Sequence, residues 1–264
     1  MTDLSMLKGR QRQMWASGDY AAVATPLHVV AETLCEAADL RPGWRVLDVA
    51  TGSGNAAIAA ARRSCQVTGI DYVPPLLERA RERALAERMD IRFLEADAED
   101  LPFEAGEFDA VVSTFGVMFA PQQARAAEEM LRVCRPGGRL VLASWTREGF
   151  VGRMFGASAR FNPPPEGVPS PLVWGSEEGL ARLFPGRRMR CARHAFQVKY
   201  PSAQAWLDFF RVRFGPMVRT FAALDAAGQR DYERALLELA AEANRSGDDT
   251  LIAPAEYLEA IVTV

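Results

Sequence analysis

The stretch Val46-Leu47-Asp48-Val49-Ala50-Thr51-Gly52-Ser53-Gly54-Asn55-Ala56-Ala57-Ile58 constrains this chain more than any other. A short apolar run meets two glycines and passes directly into an alanine-rich helical pattern reaching Arg63. Strand, glycine turn and helix in immediate succession describe a crossover of a parallel α/β sheet that binds a nucleotide-like ligand. Glycine tolerates positive φ and carries no Cβ, so a turn on Gly52 and Gly54 lets backbone lie against that ligand. The ligand itself stays open, because Gly52-x-Gly54-x-x-Ala57 also fits the dinucleotide pattern, in which alanine can replace the third glycine. No Gly-Lys-Ser or Gly-Lys-Thr follows, which excludes a P-loop.

The chain around this stretch keeps one rhythm. Residues 44–49, 66–71, 91–97, 108–113 and 139–145 read as strands, with helices over 55–63, from Pro74 onward, and over 122–133. A turn is expected at 135–138, Arg-Pro-Gly-Gly. Strands alternating with helices at roughly 25-residue spacing predict a parallel sheet covered by helices on both faces, a Rossmann-like α/β fold. Residues 1–40 read as a helical cover, 41–150 as the ligand-binding core, and 151–264 as an acceptor-side region within one compact domain. After residue 146 the rhythm is lost. A proline-rich loop spans 162–171, a capped short helix begins at Ser176, and 190–200 has strand character. Residues 202–246 read as helical and 251–264 as apolar and β-branched, so the chain end is expected to return to the sheet as one antiparallel strand. That makes 202–246 a helical insertion between two strands.

Composition narrows the partners. The formal net charge of -3 gives no general attraction to nucleic acid. Four separated cysteines without a CxxC pair, and only two histidines, argue against a structural metal and fit reduced thiols in a cytoplasmic protein. There is no apolar run long enough for a membrane span, and Met1-Thr2-Asp3 does not open a signal peptide. Lysine is confined to Lys8 and Lys199, so arginine supplies nearly all the positive charge, a compositional bias.

In an open α/β sheet the ligand sits at the carboxyl ends of the strands, near the reversal of strand order. Asp48, Asp71, Asp97 and Ser113 are the side chains expected there. Three acids in one crevice repel a polyphosphate, and they suit a ligand with diol hydroxyls, an exocyclic amine and a positive centre. S-adenosylmethionine has all three.

Further motifs follow in order: Gly69-Ile70-Asp71, Ala96-Asp97-Ala98-Glu99-Asp100-Leu101-Pro102-Phe103, Phe108-Asp109-Ala110-Val111, and Leu131-Arg132-Val133-Cys134-Arg135-Pro136-Gly137-Gly138-Arg139-Leu140. With the opening glycine turn, they resemble the ordered motifs of class I S-adenosylmethionine-dependent methyltransferases, closest to the type 11 group that includes quinone C-methyltransferases. One departure is Ala50, where that family usually carries a glycine.

The resemblance implies roles. Asp71 accepts from the ribose hydroxyls, Tyr72 lies against the adenine, Asp97 accepts from its amine, and the Ala98 backbone N–H meets a ring nitrogen. Ala50, Thr51 and Gly52 approach the methionine moiety, Ser113 opens beside it, and Trp15 and Tyr20 belong to a cover. Asp48 either contacts the ligand or holds the glycine loop. Trp15 and Tyr20 can equally be ordinary aromatic packing. The product would be S-adenosylhomocysteine and no metal is expected.

The implied reaction is an in-line displacement onto a small, hydrophobic or aromatic acceptor. It needs a general base only if the acceptor must lose a proton. His28 takes that part if the N-terminal cover closes over the crevice; otherwise it is a surface or packed residue. Trp206, Phe209, Phe210, Phe214, Met217 and Phe221 are either core or the wall of an apolar pocket. Arg187, Arg188, Arg190 and Arg193 read as a solvated face rather than a phosphate site. Two rivals share the fold: an NAD(P)-dependent reductase, and a methyltransferase-like protein that binds the cofactor without transferring its methyl. Neither the identity of the acceptor nor the oligomeric state is readable at this level.

Overall fold

The computed structural model describes residues 4–165 and 167–264; Met1-Thr2-Asp3 and Glu166 of the proline-rich loop lie outside the described residues. Three helices come first, α1 (Leu4–Trp15), α2 (Tyr20–Ala24) and α3 (His28–Ala37). The alternating core follows as β1 (Arg45–Val49), α4 (Asn55–Arg62), β2 (Gln66–Asp71), α5 (Pro74–Ala86), β3 (Ile91–Glu95), β4 (Phe108–Thr114), α6 (Gln123–Val133) and β5 (Cys134–Trp145). The remainder is α7 (Phe150–Phe161), α8 (Glu177–Leu183), β6 (Met189–Tyr200), α9 (Ala203–Arg213), α10 (Gly215–Ala223), α11 (Ala226–Ala243) and β7 (Leu251–Thr263).

Among the described residues the strands form one seven-stranded sheet in the order β3-β2-β1-β4-β5-β7-β6. β1 to β5 pair in parallel, while β7 runs antiparallel between β5 and β6. The chain end therefore returns to the sheet as expected, and α9 to α11 are the insertion between β6 and β7. Strand order reverses between β1 and β4, which sets the ligand crevice outside their carboxyl ends. Val46, Leu47, Asp48 and Val49 are all buried because helices cover both faces of the sheet, so β1 is buried continuously instead of on alternate residues. Ala56, Ala57, Ala59 and Ala60 are buried too. Their small side chains let α4 lie close to the sheet and begin straight after the glycine turn.

Four local expectations change. Residues 135–138 are not a separate turn but the irregular start of β5: Phe108 pairs with Cys134 and Ala110 with Arg139, so the residues between bulge outward. Arg135 Nε, 2.7 Å from Asp109 Oδ1, pins that bulge. The Ala96 N–H makes the last ladder bond of β3, to Asp71 O (3.1 Å), and the chain then leaves the sheet as Asp97 pairs with Asp100 in a tight loop. Residues 150–161, beyond the alternating pattern, form α7, which buries Phe150, Met154 and Ala157. The helical stretch 202–246 divides into three, broken at extended Phe214 ahead of Pro216 and at Asp225, whose side chain caps α11 through the Gly228 N–H.

Candidate active site

The glycine turn is held from below by Asp48. Buried in β1, its Oδ2 accepts from Thr51 Oγ1 (2.6 Å) and from the Ala57 N–H (2.9 Å), so one carboxylate ties the turn to the first turn of α4. Burial pushes this carboxyl up to about 7, against the pull of those two donors. Of the two roles open to Asp48, this geometry is the loop-holding one. Asp71 holds the turn from the side, accepting from the Gly52 N–H and the Val73 N–H at 2.9 Å each. Burial raises it to about 6, again opposed by backbone donors. Each carboxylate oxygen has a second lone pair, so Asp71 keeps capacity for hydroxyl donors from a ligand.

The backbone here is unusual. Ala50 has φ +54° and Phe115 φ +60°, the left-handed region that costs a side-chain-bearing residue about 1–2 kcal/mol. Both flank Gly116, where an added Cβ would lie 2.3 Å from Ala50 O. Glycine at 116 is thus required for the β4 exit to pass the β1 turn. Strain of this kind is retained where the surroundings fix it, as at ligand sites.

Ten of the eleven residues expected to meet the cofactor line one cavity at this switch point: Trp15, Tyr20, Asp48, Ala50, Thr51 and Gly52, with Asp71, Tyr72, Asp97 and Ala98. Ser113 is the exception. Its hydroxyl donates to Val49 O (2.7 Å) and accepts from the Val117 N–H (3.0 Å), so it joins β1 to the segment after β4 and is spent there. Thr114 to Val117 line the cavity in its place.

α1 lies across the opposite rim. Lys8 Nζ sits 2.6 Å from Asp97 Oδ2 and 2.5 Å from Glu99 Oε2, Arg12 pairs with Glu95 (2.6 Å), and Tyr72 Oη reaches Gln11 Oε1 (3.4 Å). Lys8 and Glu99 were not foreseen. Glu99 is buried, accepts twice from Gln122 and lines the cavity, so four acids face one cation. With α1 in place the free volume is about 90 Å³.

A second, larger cavity of about 420 Å³ adjoins the first and shares Trp15, Tyr20, Leu27 and Phe119 with it. Trp15 stands edge-on to Tyr20 (5.3 Å), Phe119 (4.8 Å) and Phe214 (5.9 Å), so these rings form the junction. Phe115 faces the first cavity and stacks at 3.8 Å on Trp145, which faces the second. The far wall is Val151, Met154 and Phe155 of α7 with Phe196, Val198 and Tyr200 of β6. The spacing 196, 198, 200 is one face of a strand, a signal present in the sequence. Of the six apolar residues singled out between 206 and 221, Phe210 and Phe214 line this cavity. Trp206, Met217 and Phe221 are buried outside its lining, and Phe209 packs against Tyr200 from outside it.

His28 is exposed, its Nδ1 2.8 Å from Thr25 O, and it lines neither cavity, so no geometry here offers it a proton from an acceptor. His194 lies on the edge strand, 3.3 Å from Glu259. Arg190 reaches Ala37 O (2.7 Å) and Arg193 pairs with Glu256 (2.9 Å), consistent with a solvated, paired face. Among the described residues there is no cluster able to hold a metal ion, and no helix is long and apolar enough to cross a membrane.

Comparison with known proteins agrees with this geometry. The profile of a methyltransferase domain family matches residues 46–138. An uncharacterized protein of Mycobacterium tuberculosis, Rv1403c, is 43% identical over 218 residues, covering 81% of this chain and 80% of its own. The demethylmenaquinone methyltransferase of Thermus thermophilus is 41% identical over 126 residues, 47% of this chain and 50% of that protein. Among solved structures, the YcgJ protein of Bacillus subtilis superposes with a TM-score of 0.63 at 19% identity, covering 89% of this chain and 98% of that one, a likeness of fold.

Proposed function

Because the chain belongs to the class I S-adenosylmethionine-dependent methyltransferases, we propose that it methylates a small apolar or aromatic acceptor held in the second cavity. The observation that carries this reading is the junction: an acid-lined cavity and an aromatic-lined cavity meet at Trp15, Tyr20, Leu27 and Phe119. S-adenosylmethionine supplies a methyl group already activated on a positively charged sulfonium.

The donor set fits that cofactor, since carboxylates accept from hydroxyls and amines and favour a positive centre. Asp71 would take the ribose hydroxyls, Asp97 the adenine amine, and the Ala98 N–H a ring nitrogen, with Tyr72 beside the adenine. Ala50, Thr51 and Gly52 would face the methionine moiety, while Trp15 and Tyr20 roof it. Asp48 acts from beneath by fixing the turn.

The second cavity offers little acid–base chemistry. Its titratable lining among the described residues is Lys199, Tyr20 and Tyr200, and burial pushes both tyrosines up to about 12. They are donors at neutral pH, not bases. Catalysis then rests on holding the acceptor in contact and in line, an effect worth on the order of 7–11 kcal/mol. Family membership sets aside the reductase. Calorimetric titration with S-adenosylhomocysteine and with NAD tests the cofactor site, and a mass-spectrometric search for a methyl gain in apolar cell extracts tests transfer. Binding of NAD alone would end the proposal.

A further inference from the structure

α2 and the turn after it form the wall that the two cavities share. Tyr20 and Leu27 line both cavities, Ala24 lines the first, and Val23 and Pro26 line the second. Tyr20 lies over the glycine turn, where a Cβ added at Gly52 would stand 3.7 Å from its ring. Yet α2 has only five residues, too few for a helix to hold itself in place. Among the described residues, two hydrogen bonds tie segment 19–27 to the rest of the protein. At one end the Asp19 N–H donates to Arg213 O of α9 (2.9 Å); at the other Asn55 Nδ2 donates to Ala24 O (2.8 Å).

Asn55 is the first residue of α4, directly after the glycine turn, and both ends of its amide are spent. Oδ1 accepts from Arg83 Nη1 (2.7 Å) while Nδ2 reaches Ala24 O. Only this orientation satisfies both partners, because a guanidinium only donates and a carbonyl only accepts. Arg83, half-buried on α5, has no carboxylate partner among the described residues; its Nη1 donates to Ser53 O (2.6 Å) as well as to Asn55. Burial pulls its pKa down, the mark of a cation held at a cost. The N-terminus of α4 favours an anion, so the helix dipole does not account for a cation here. Arg83 does not line the first cavity either, so it meets no ligand there. What it does is fix the glycine turn and one amide.

We infer that Asn55 is a positioning residue for both cavities: through Ala24 O it seats Tyr20 and Leu27 on the cofactor turn, and Arg83 holds its amide in the orientation this requires. The shared wall hangs between α9 and the glycine turn, and one side-chain bond sets its cofactor end. Without that bond the sheet and the turn stay as they are, and the wall lifts more often from what it covers. The consequence for ligands rests on the reading of the first cavity as the cofactor site; the tie itself exists without a ligand.

The test measures backbone hydrogen exchange by mass spectrometry in the full-length, cofactor-free protein. Asn55→Asp keeps an acceptor for Arg83 and loses the donor to Ala24 O. Exchange over 20–27 is expected to quicken by about 2- to 10-fold, the range of one hydrogen bond, with β1 and β4 unchanged. Asn55→Ala, which adds no charge, is expected to do the same. Arg83→Met is expected to quicken the same segment in the wild type and to add little over 20–27 in the Asn55→Asp background, where the tie is already gone. Release of S-adenosylhomocysteine, followed by stopped-flow competition, is expected to quicken within the same range in both Asn55 variants. Unchanged exchange at 20–27 in both variants overturns the inference, as does equal acceleration through β1 and β4, a full added effect of Arg83→Met over Asn55→Asp, or unchanged release beside faster exchange. Failure of the wild type to bind S-adenosylhomocysteine would instead end the cofactor reading, while the exchange measurements still decide whether Asn55 seats the wall.

Discussion

Asp71 gives the sharpest handle on the cofactor site. Its carboxyl stands at about 6, raised by burial and only partly lowered by the Gly52, Val73 and Tyr72 backbone N–H groups. In the proposed binding mode ribose hydroxyls donate to the ionised form, so affinity is expected to follow the ionised fraction. For a group at about 6 that fraction falls about ten-fold between pH 7 and pH 5. Affinity for S-adenosylhomocysteine, measured calorimetrically, is expected to fall by the same factor. Asp71→Asn removes the charge. Two hydrogen bonds to a charged group are worth about 1.5–3 kcal/mol each, so the variant is expected to bind at least about 100-fold more weakly, with the pH slope gone. The amide would also turn an N–H₂ toward the Gly52 or Val73 N–H, so the variant's fold is checked by circular dichroism. Asp48, held at about 7, would betray a contribution of its own as slope remaining in that variant. A flat affinity from pH 7 to 5 in the wild type, or near-normal binding by a folded Asp71→Asn, refutes the reasoning.

Three further outcomes are expected. Ala50→Gly relieves about 1–2 kcal/mol of left-handed strain and gives back about 0.4–1 through the freer unfolded chain, so thermal melting should rise by roughly 2 °C; a fall contradicts the strain. The cofactor-free protein should lose stability to urea as pH rises from about 5 to about 8. Asp48 and Asp71 are raised above their unfolded values, so their contribution is full below about 4 and lost through about 6 and 7. Glu32, Asp109 and Glu129 are held low and act only below that window, so rising stability would contradict the burial argument. Met154→Trp should fill the second cavity, leaving S-adenosylhomocysteine binding intact and abolishing binding of the neutral fluorescent probe N-phenylnaphthylamine; unimpaired probe binding would remove α7 from the proposed acceptor wall.

The residues that announce the cofactor site are local, and that is why they were legible. Asp48, the glycine turn, Asp71 and Asp97 sit at the ends of apolar runs whose order already dictates the sheet. Ser113 was misplaced by one residue: in β4 successive side chains alternate sides, and the one expected to face the cofactor bonds Val49 instead. The second cavity was largely hidden because α2, α7, β6, α9 and the turn at Phe119 each contribute only a few side chains, brought together by β7 returning to the sheet. α7 carries a readable 150, 154, 157 stripe, obscured by the proline-rich loop that follows it. Lys8 was set aside as composition, and only the fold brings α1 across the sheet to Asp97 and Glu99.

The most direct measurement is a crystal structure with S-adenosylhomocysteine bound. The account predicts the ribose diol on Asp71, the adenine amine on Asp97, and the sulfur at the junction of Tyr20, Leu27 and Phe119, facing the second cavity. A sulfur walled off from that cavity by the stacked Phe115 and Trp145, or a ligand bound away from Asp71, would contradict it.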